Sequence, residues 1–454
     1  METFEIIVVL MFVAFIGLIF TGFPIAWILA GIALWFGVGA IALNELGVDT
    51  FLMRSFANFA IIVDRTWAVM ENWVLVALPM FIFMGLMLDR SGVAENLMTN
   101  FVKVFGRLRG GLAITVVIIG VMLAASTGIV GASVVLLGTL AFPVMMQRGY
   151  SPALASGVVG ASGTLGILIP PSIMLVIMAD QLSMPVGDLF MGAVIPGLLM
   201  ALLYIGYIVI LAHVKPVLAP APPPAGRLTA AEISQTLLAV VPPALLILAV
   251  LGSIFGGVAT PTEASGMGAL GATLLAALNR RFSLRMLAEV SRETMYTTSF
   301  IFGIFIGATA FAMVLRSLGG DDLVAHMLKS LPFGPEGLVI VILLMAFAAG
   351  FFLDWLEITL ILLPLVAPVV KAAGLNDVWF VVLFAVCLQT SFMTPPVGFT
   401  LFYVKGIAPP AITTPHIYRG IIPFVIIQLL AVALVFSYPR LATWLPEQMY
   451  SVRR

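Results

Sequence analysis

The sequence predicts an all-α polytopic membrane protein made of two related halves, with two re-entrant hairpins and two broken helices. Three observations carry this. Hydrophobic residues make up 62% of the 454 and charged residues 9%, against about 45–50% and about 25% in soluble domains. The mean hydropathy is +1.19. So few charges cannot cover a water-facing surface of this size, and most of that surface must face lipid. Apolar runs long enough to cross a bilayer, roughly 20 residues, recur along the whole chain. They do not alternate, and an open sheet cannot span lipid, so a β-barrel is excluded. Finally, landmarks of the first half return in the second at a nearly fixed spacing.

Taken in order, isolated apolar runs at 5–20, 22–43, 73–89, 188–212, 236–257, 261–279, 295–315 and 414–438 predict spanning helices. Residues 1–21 lack the charged start and small-residue cleavage site of a secretory leader, so they are expected to remain as an N-terminal helix. Regions 111–148 and 337–373 are apolar but interrupted by small residues, the pattern of a hairpin. Regions 152–180 and 376–405 are interrupted by proline pairs, the pattern of a broken helix. Residues 91–106 and 321–331 mix apolar and charged positions and predict amphipathic helices at the lipid surface. Residues 213–235, with Pro216, Pro220 and Pro222-Pro223-Pro224, read as a cytoplasmic linker between the halves 22–212 and 258–438. Residues 236–257 form the helix that joins them, and 439–454 a C-terminal tail.

The repeat is quantitative. Pro170-Pro171 returns as Pro395-Pro396, Pro143 as Pro368 and Gly149 as Gly374, each 225 residues later. Gly111 returns as Gly337 and Arg90-Ser91 as Arg316-Ser317, 226 residues later. Pro24 and Gly31 return as Pro261 and Gly268 at 237. The growth from 225 to 237 puts twelve extra residues in the polar loop 44–72. Lys and Arg favour cytoplasmic loops. With loop 89–110 placed inside, 13 of the 21 basic residues fall inside and 8 outside. Glu45, Asp49, Asp180, Asp188, Asp321 and Asp322 then fall outside. In that layout span 22–43 runs outward and 261–279 inward, so the repeats are inverted, a plan common among secondary transporters.

Non-helical backbone at membrane depth survives only where it is buried in protein or lines a wet cavity. The first broken helix reads Ala161-Ser162-Gly163-Thr164-Leu165-Gly166-Ile167-Leu168-Ile169-Pro170-Pro171-Ser172, the second Gln389-Thr390-Ser391-Phe392-Met393-Thr394-Pro395-Pro396-Val397-Gly398. Adjacent prolines remove two helical N–H donors, and the carbonyls they free need partners. A sodium ion is one, because hard cations take oxygen ligands; a packed kink satisfied by Ser and Thr is another. The first hairpin tip, Ser126-Thr127-Gly128-Ile129-Val130-Gly131-Ala132-Ser133, offers hydroxyls and open backbone to a ligand, or close helix packing through small residues. The second tip, Asp354-Trp355-Leu356-Glu357-Ile358-Thr359, brings two carboxylates to membrane depth, which is costly and usually functional. They serve a cation, a proton or a hydrogen-bonded structural role, or they sit in a wetter tip, merely solvated.

Other features are structural or exclude functions. Thr260-Pro261-Thr262-Glu263 reads as a capping box at a helix start. Cys387, at the place of Ser162 in the repeat, reads as a small buried apolar side chain. Formal net charge is zero, which leaves no basic surface for nucleic acid. One cysteine and three scattered histidines, His213, His326 and His416, make no disulfide and no metal cluster. No H-E-x-x-H, Walker A or dinucleotide motif is present, so neither catalysis nor pumping by ATP is expected. An intramembrane enzyme using Asp354 and Glu357, and a scaffold protein, are the remaining non-transport readings.

These motifs resemble the large membrane subunit of the tripartite ATP-independent periplasmic (TRAP) transporters, of the ion-transporter superfamily, over residues 5–438. The specific pieces are Gly163 to Ser172, Thr260-Pro261-Thr262-Glu263, Phe352-Leu353-Asp354 and Thr394-Pro395-Pro396-Val397-Gly398. The resemblance implies a bacterial inner-membrane permease, driven by Na+, that takes up a small carboxylate delivered by a periplasmic substrate-binding protein (P subunit). It also implies a four-helix small membrane partner (Q subunit) and an elevator movement of hairpins and broken helices against a scaffold. Carried onto this sequence, one sodium site uses Gly131, Ser133, Thr164 and Gly166. The other uses Asp354, Met393, Thr394 and Pro396, largely through carbonyls. Substrate lies between the tips, near Ser126, Thr127, Gly128, Ser162, Pro170, Pro171 and Ser172 on one side. On the other it meets Glu357, Thr359, Pro395 and Gly398. The family often has Ser-Gly-Ser-Ser where this chain has Val130-Gly131-Ala132-Ser133, two hydroxyls fewer, with Ser126 or Thr127 as replacements. Trp355 and Glu357 also depart from the family pattern and point to a subfamily. A stand-alone sodium/carboxylate symporter of the same superfamily is the alternative, distinguished by independence from a binding protein.

Overall fold

The computed structural model describes residues 3–127, 130–220, 229–329, 332–395 and 398–452, and among these every regular element is helical. The first stretch of chain forms α1 (Thr3–Ile19), α2 (Ile25–Glu45), α3 (Ala60–Glu71), α4 (Ala77–Arg90) and α5 (Val93–Phe105). The first hairpin is α6 (Gly111–Thr127) and α7 (Val130–Gln147), and the first broken helix is α8 (Pro152–Thr164) and α9 (Ile173–Gln181). Then come α10 (Val186–Val214), α11 (Ala230–Phe255), α12 (Pro261–Leu278), α13 (Leu284–Ser317) and α14 (Gly320–Lys329). The second hairpin is α15 (Pro335–Ala349) and α16 (Trp355–Ala372), and the second broken helix is α17 (Asp377–Met393) and α18 (Phe399–Ile407). α19 (Thr414–Ser437) and α20 (Arg440–Val452) complete the chain. Eight segments among the described residues are long and apolar enough to cross a membrane, so this is a multi-pass membrane protein.

Several boundaries differ from the sequence reading, each for a local reason. The stretch 213–235 is not linker throughout: α10 runs on to Val214 and α11 begins at Ala230. Thr229 starts α11 with a capping box, its Oγ1 accepting from Glu232 N at 3.2 Å while Glu232 Oε2 accepts from Thr229 N at 2.9 Å. The span expected at 295–315 is the second part of a 34-residue helix. Its first turns read as polar because their charges are mutually paired. Arg90 reaches Glu289 Oε2 at 2.9 Å and also bonds Glu293, and Arg285 meets Glu289 at 3.0 Å. The tail 439–454 holds α20, whose Ala442 is fully buried and packs on Gly192 of α10. The loop 44–72 contains α3. At Thr260 the expected capping box forms, with Glu263 Oε2 accepting from Thr260 N at 2.8 Å.

The chain divides into two compact units. One comprises Met1–Leu75 and Tyr296–Asp377; the other comprises Val76–Met295 and Val378–Arg454. In the first, α1 packs on the later turns of α13 through Phe12 and Phe15 against Phe311. Backbone of α2 at Ala26 approaches Gly307 too closely for a side chain there. Phe20 meets Phe352 beside the second hairpin tip, ring centroids 5.5 Å apart. In the second unit, α4 packs on α12 and α11 packs on both α5 and α12. Its core is α8, held between the first hairpin and α19. A side chain at Gly120 of α6 would meet Ser162, and one at Gly163 would enter Val134 of α7. On the other face Gly157 lies against the carbonyl of Gly420, and Gly420 against that of Ala153. Only glycine permits backbones this close, the small-residue packing typical of membrane helices.

Candidate functional site

The first broken helix keeps its α-helical bonds as far as Thr164 and then tightens into a 3-10 turn over Leu165–Ile167. Pro170 and Pro171, joined by a cis peptide bond, have no N–H to give the carbonyls of Gly166 and Ile167, four residues back in each case. One carbonyl is rescued locally: Ser172 Oγ donates to Ile167 O at 2.5 Å. The Gly166 carbonyl loses its helical donor to Pro170. Its neighbours Leu168 and Ile169 both direct their N–H groups to Leu165 O instead, at 3.1 and 3.0 Å. The whole stretch from Leu154 to Ile177 is buried.

The second broken helix, in the same unit, repeats the arrangement. Thr394 N donates to Ser391 O at 3.0 Å, and Thr394 Oγ1 donates to Thr390 O at 2.7 Å. Gly398, at φ +27°, restarts the chain as α18. A β-carbon there would stand 2.9 Å from Thr394 O and 3.0 Å from Phe392 O, so position 398 requires glycine.

The two breaks meet. Thr164 Oγ1 donates to Ala161 O at 2.9 Å, accepts from Gln389 Nε2 at 3.2 Å and lies 3.3 Å from Met393 Sδ. Thr164 and Gln389 are separated by 225 residues, the same offset that relates the two proline pairs. Equivalent positions of the two repeats thus touch each other, as they do at a two-fold axis. Gln428 of α19 donates from Nε2 to Met393 Sδ at 3.1 Å, and the Tyr204 hydroxyl of α10 lies beside Gln428 and Thr164. Thr164, Gln389, Gln428 and Tyr204 are all fully buried. Several of their oxygens lack a hydrogen-bond partner: Tyr204 OH, Gln389 Oε1 and Gln428 Oε1, with Ser162 Oγ close by in sequence. A buried polar atom without a partner costs about 1–3 kcal/mol. Neutral oxygens converging from α8, α10, α17 and α19, beside a carbonyl freed by proline, form a receptive environment for a small hard cation or a buried water.

The expected site residues are distributed as follows. Thr164, Gly166, Ser162 and Met393 lie in or beside this cluster. Thr394 and Ser172 spend their hydroxyl protons on carbonyls of their own segments. Gly131 packs against the Tyr403 ring on α18, where a β-carbon would stand 2.8 Å from ring atoms, and Ser133 is buried on the same helix, α7. Gly128, Pro396 and the side chains of Ser126 and Thr127 lie outside the described residues. Pro170, Pro171 and Pro395 make the breaks themselves. Asp354, Glu357 and Thr359 belong to the other compact unit. There Asp354 Oδ1 accepts from Trp355 N at 2.8 Å at the N-terminus of α16. Glu357 is buried with Oε2 unpartnered, as is Thr359 Oγ1. The sequence reading missed Gln389 as a site residue, together with Gln428 and Tyr204. The signal for the first two was an amide inside an otherwise apolar helix, where polar groups are rare and usually functional.

Comparison with known proteins agrees with this architecture. Residues 12–441 match the family described as "Tripartite ATP-independent periplasmic transporter, DctM component". The C4-dicarboxylate TRAP transporter large permease protein DctM of Vibrio cholerae is 30% identical, over 97% of this chain and 97% of its own. The ectoine/5-hydroxyectoine TRAP transporter large permease protein UehC of Ruegeria pomeroyi is 31% identical, over 88% of this chain and 92% of its own. The crystal structure of the YdaH transporter of Alcanivorax borkumensis has the same fold, with a TM-score of 0.67 at 14% identity, covering 90% of this chain and 98% of that one. The long helical hairpins, the paired proline breaks and the match along almost the whole length make this chain a member of the DctM family, the large permease component of TRAP transporters, and a transport protein rather than an enzyme.

Proposed function

We propose that this chain is the transporting subunit of a sodium-driven uptake system in the bacterial inner membrane. It works with a small membrane subunit and a periplasmic binding protein that delivers a small carboxylate. The observation that supports sodium coupling is the buried set of neutral oxygens around Thr164, two residues before Gly166, whose carbonyl loses its helical donor to Pro170. A monovalent hard cation suits such a site. It needs several oxygens but no carboxylate, and its charge repays the burial of unpaired dipoles. In transport the ion is a co-substrate: its entry down a gradient is tied to substrate entry through the shared broken helices.

Carboxylate as the substrate class rests on the V. cholerae relative named for C4-dicarboxylates. Among the described residues no lysine or arginine is buried. Charge recognition then falls to backbone N–H groups at the helix N-termini that follow the breaks, those of α9 and α18. The elevator movement fits the packing of α8, whose glycine contacts to α6, α7 and α19 tie hairpin and broken helices into one body.

Uptake into liposomes holding this chain and its small subunit tests the reading. With an inward sodium gradient and the cognate binding protein, labelled organic acid should accumulate, and omitting either should abolish it. Thr164→Ala should raise the sodium concentration for half-maximal uptake. Accumulation without a sodium gradient would exclude sodium coupling, and accumulation without the binding protein would favour a stand-alone symporter.

A further inference from the structure

A second polar feature of the same compact unit stands apart from the broken helices. α5, α11 and α12 enclose an open groove of about 420 Å³. One wall is the polar stripe of α5, Asn96, Thr99, Asn100 and Lys103, at the i, i+3, i+4, i+7 spacing of a single helix face. The facing wall is α11, polar at Gln235 and apolar at Leu238 and at the pair Pro242-Pro243.

Charge singles out Lys103. Three basic residues at this end of the unit are paired, Arg90 with Glu289 and Glu293, Arg107 with Glu232, and Arg281 with Glu95, and Lys103 is the basic residue that lines the groove. Lys103 is exposed and has no ion pair among the described residues, and no carboxylate lines the groove. The groove is therefore locally cationic. The amides of Asn96 and Gln235 also carry no side-chain hydrogen bond among the described residues. The Asn100 amide, by contrast, donates to Asn96 O at 2.8 Å.

Pro242 and Pro243 supply the second requirement. They lie inside α11 and have no N–H to give the carbonyls of Leu238 and Ala239 one turn earlier. Both of those residues line the groove. Carbonyls deprived of their helical donors at the headgroup level are free to accept from a bound headgroup that brings donors. The occupant that fits has one negative charge for Lys103, hydroxyl donors for two carbonyls, and an apolar body for Leu238, the prolines and Leu275. The basic residues clustered at this end assign it to the cytoplasmic headgroup layer.

We propose that the groove between α5, α11 and α12 holds one phosphatidylglycerol molecule of the inner leaflet. Its phosphate rests on Lys103 and its glycerol hydroxyls on the carbonyls of Leu238 and Ala239. This stands independently of sodium coupling. Phosphatidylcholine has the phosphate but no donors, and inorganic phosphate has no apolar body, so the three probes separate the parts of the argument.

The test is native mass spectrometry of the full chain in detergent, titrated with phosphatidylglycerol, phosphatidylcholine or inorganic phosphate. Phosphatidylglycerol should remain as a one-to-one adduct that the other two do not form at equal concentration. Lys103→Ala, an exposed substitution that leaves the core intact, should weaken the adduct about fivefold, the effect of one basic residue at an anionic headgroup. The double change Pro242→Ala with Pro243→Ala, which returns both N–H groups, should remove the preference over phosphatidylcholine. Equal retention of phosphatidylcholine by the unaltered protein would overturn the proposal. So would an unchanged adduct in Lys103→Ala, or competition by inorganic phosphate at the lipid's own concentration.

Discussion

Gln389 and Gln428 are the same side chain, equally buried, yet they are held differently, and the difference predicts how each responds to change. Gln389 gives its N–H to a hydroxyl oxygen at 3.2 Å, whereas Gln428 gives its N–H to a thioether, a weak acceptor. Gln389→Met takes a donor from Thr164 in a dry interior and should cost about 1–3 kcal/mol. Gln428→Met loses the weak bond and the amide beside the Tyr204 hydroxyl, but it also removes an unpartnered carbonyl, so it should cost less stability than Gln389→Met. Thermal unfolding of the purified variants checks the order. If the amide oxygens serve a cation, Gln428→Met should still raise the sodium concentration needed for uptake several-fold. An unaltered sodium response in that variant would remove Gln428 from the site. The Gly166 carbonyl can be picked out in the sequence because Pro170, four residues on, has no N–H to give it; Thr164 was named through the family resemblance alone. Gln389, Gln428 and Tyr204 were not legible, because nothing in an apolar run tells which neighbour an amide or phenol will meet across the bundle.

At the scale of elements, the two breaks and the close helix contacts are separable properties. The break in α8–α9 comes from two absent N–H groups and one serine. Pro170→Ala with Pro171→Ala restores donors for Gly166 and Ile167 and lets helix run through. The expected protein inserts and folds but has lost its sodium response, with the uptake rate unaffected by raising sodium. A variant that kept the parent's sodium dependence would show that the freed carbonyl has no part in coupling. The contact of α8 with α19 depends instead on absent side chains. Gly420→Val pushes methyl groups into the backbone at Ala153, which cannot yield as a flexible side chain would. Such overpacking costs about 1–3 kcal/mol, and the variant should unfold at lower temperature than Gly266→Val, where a β-carbon meets nothing. Elements rich in apolar residues or proline were readable in advance. The first turns of α13 and all of α20 were not. Arg285, Glu289 and Glu293 look like a solvated connection until Arg90 is seen to pair with both glutamates. The polar stretch after Tyr438 looked like a tail until Ala442 was found packed against Gly192 of α10.

For the whole molecule, the distribution of a small number of charges decides orientation. With 21 basic and 21 acidic residues the net charge is zero, so sidedness must come from where the charges lie. The inverted layout read from the sequence predicts the loop after α4 and the loop after α12 on the cytoplasmic side, and Asp49 and the Asp321-Asp322 pair that begins α14 on the opposite side. The chain is suited to a direct test because Cys387 is its only cysteine and is buried. Cys387→Ala conserves a small apolar side chain and should leave folding unchanged. In that background single cysteines at positions 49, 109, 280 and 322 can be labelled in intact cells by a membrane-impermeant maleimide. Positions 49 and 322 should react from outside, and 109 and 280 only after the membrane is opened. The informative pair is 109 and 322, which follow corresponding spans in the two halves. Inverted repeats put them on opposite faces and parallel repeats on the same face. Labelling of both from one side would break the inverted arrangement.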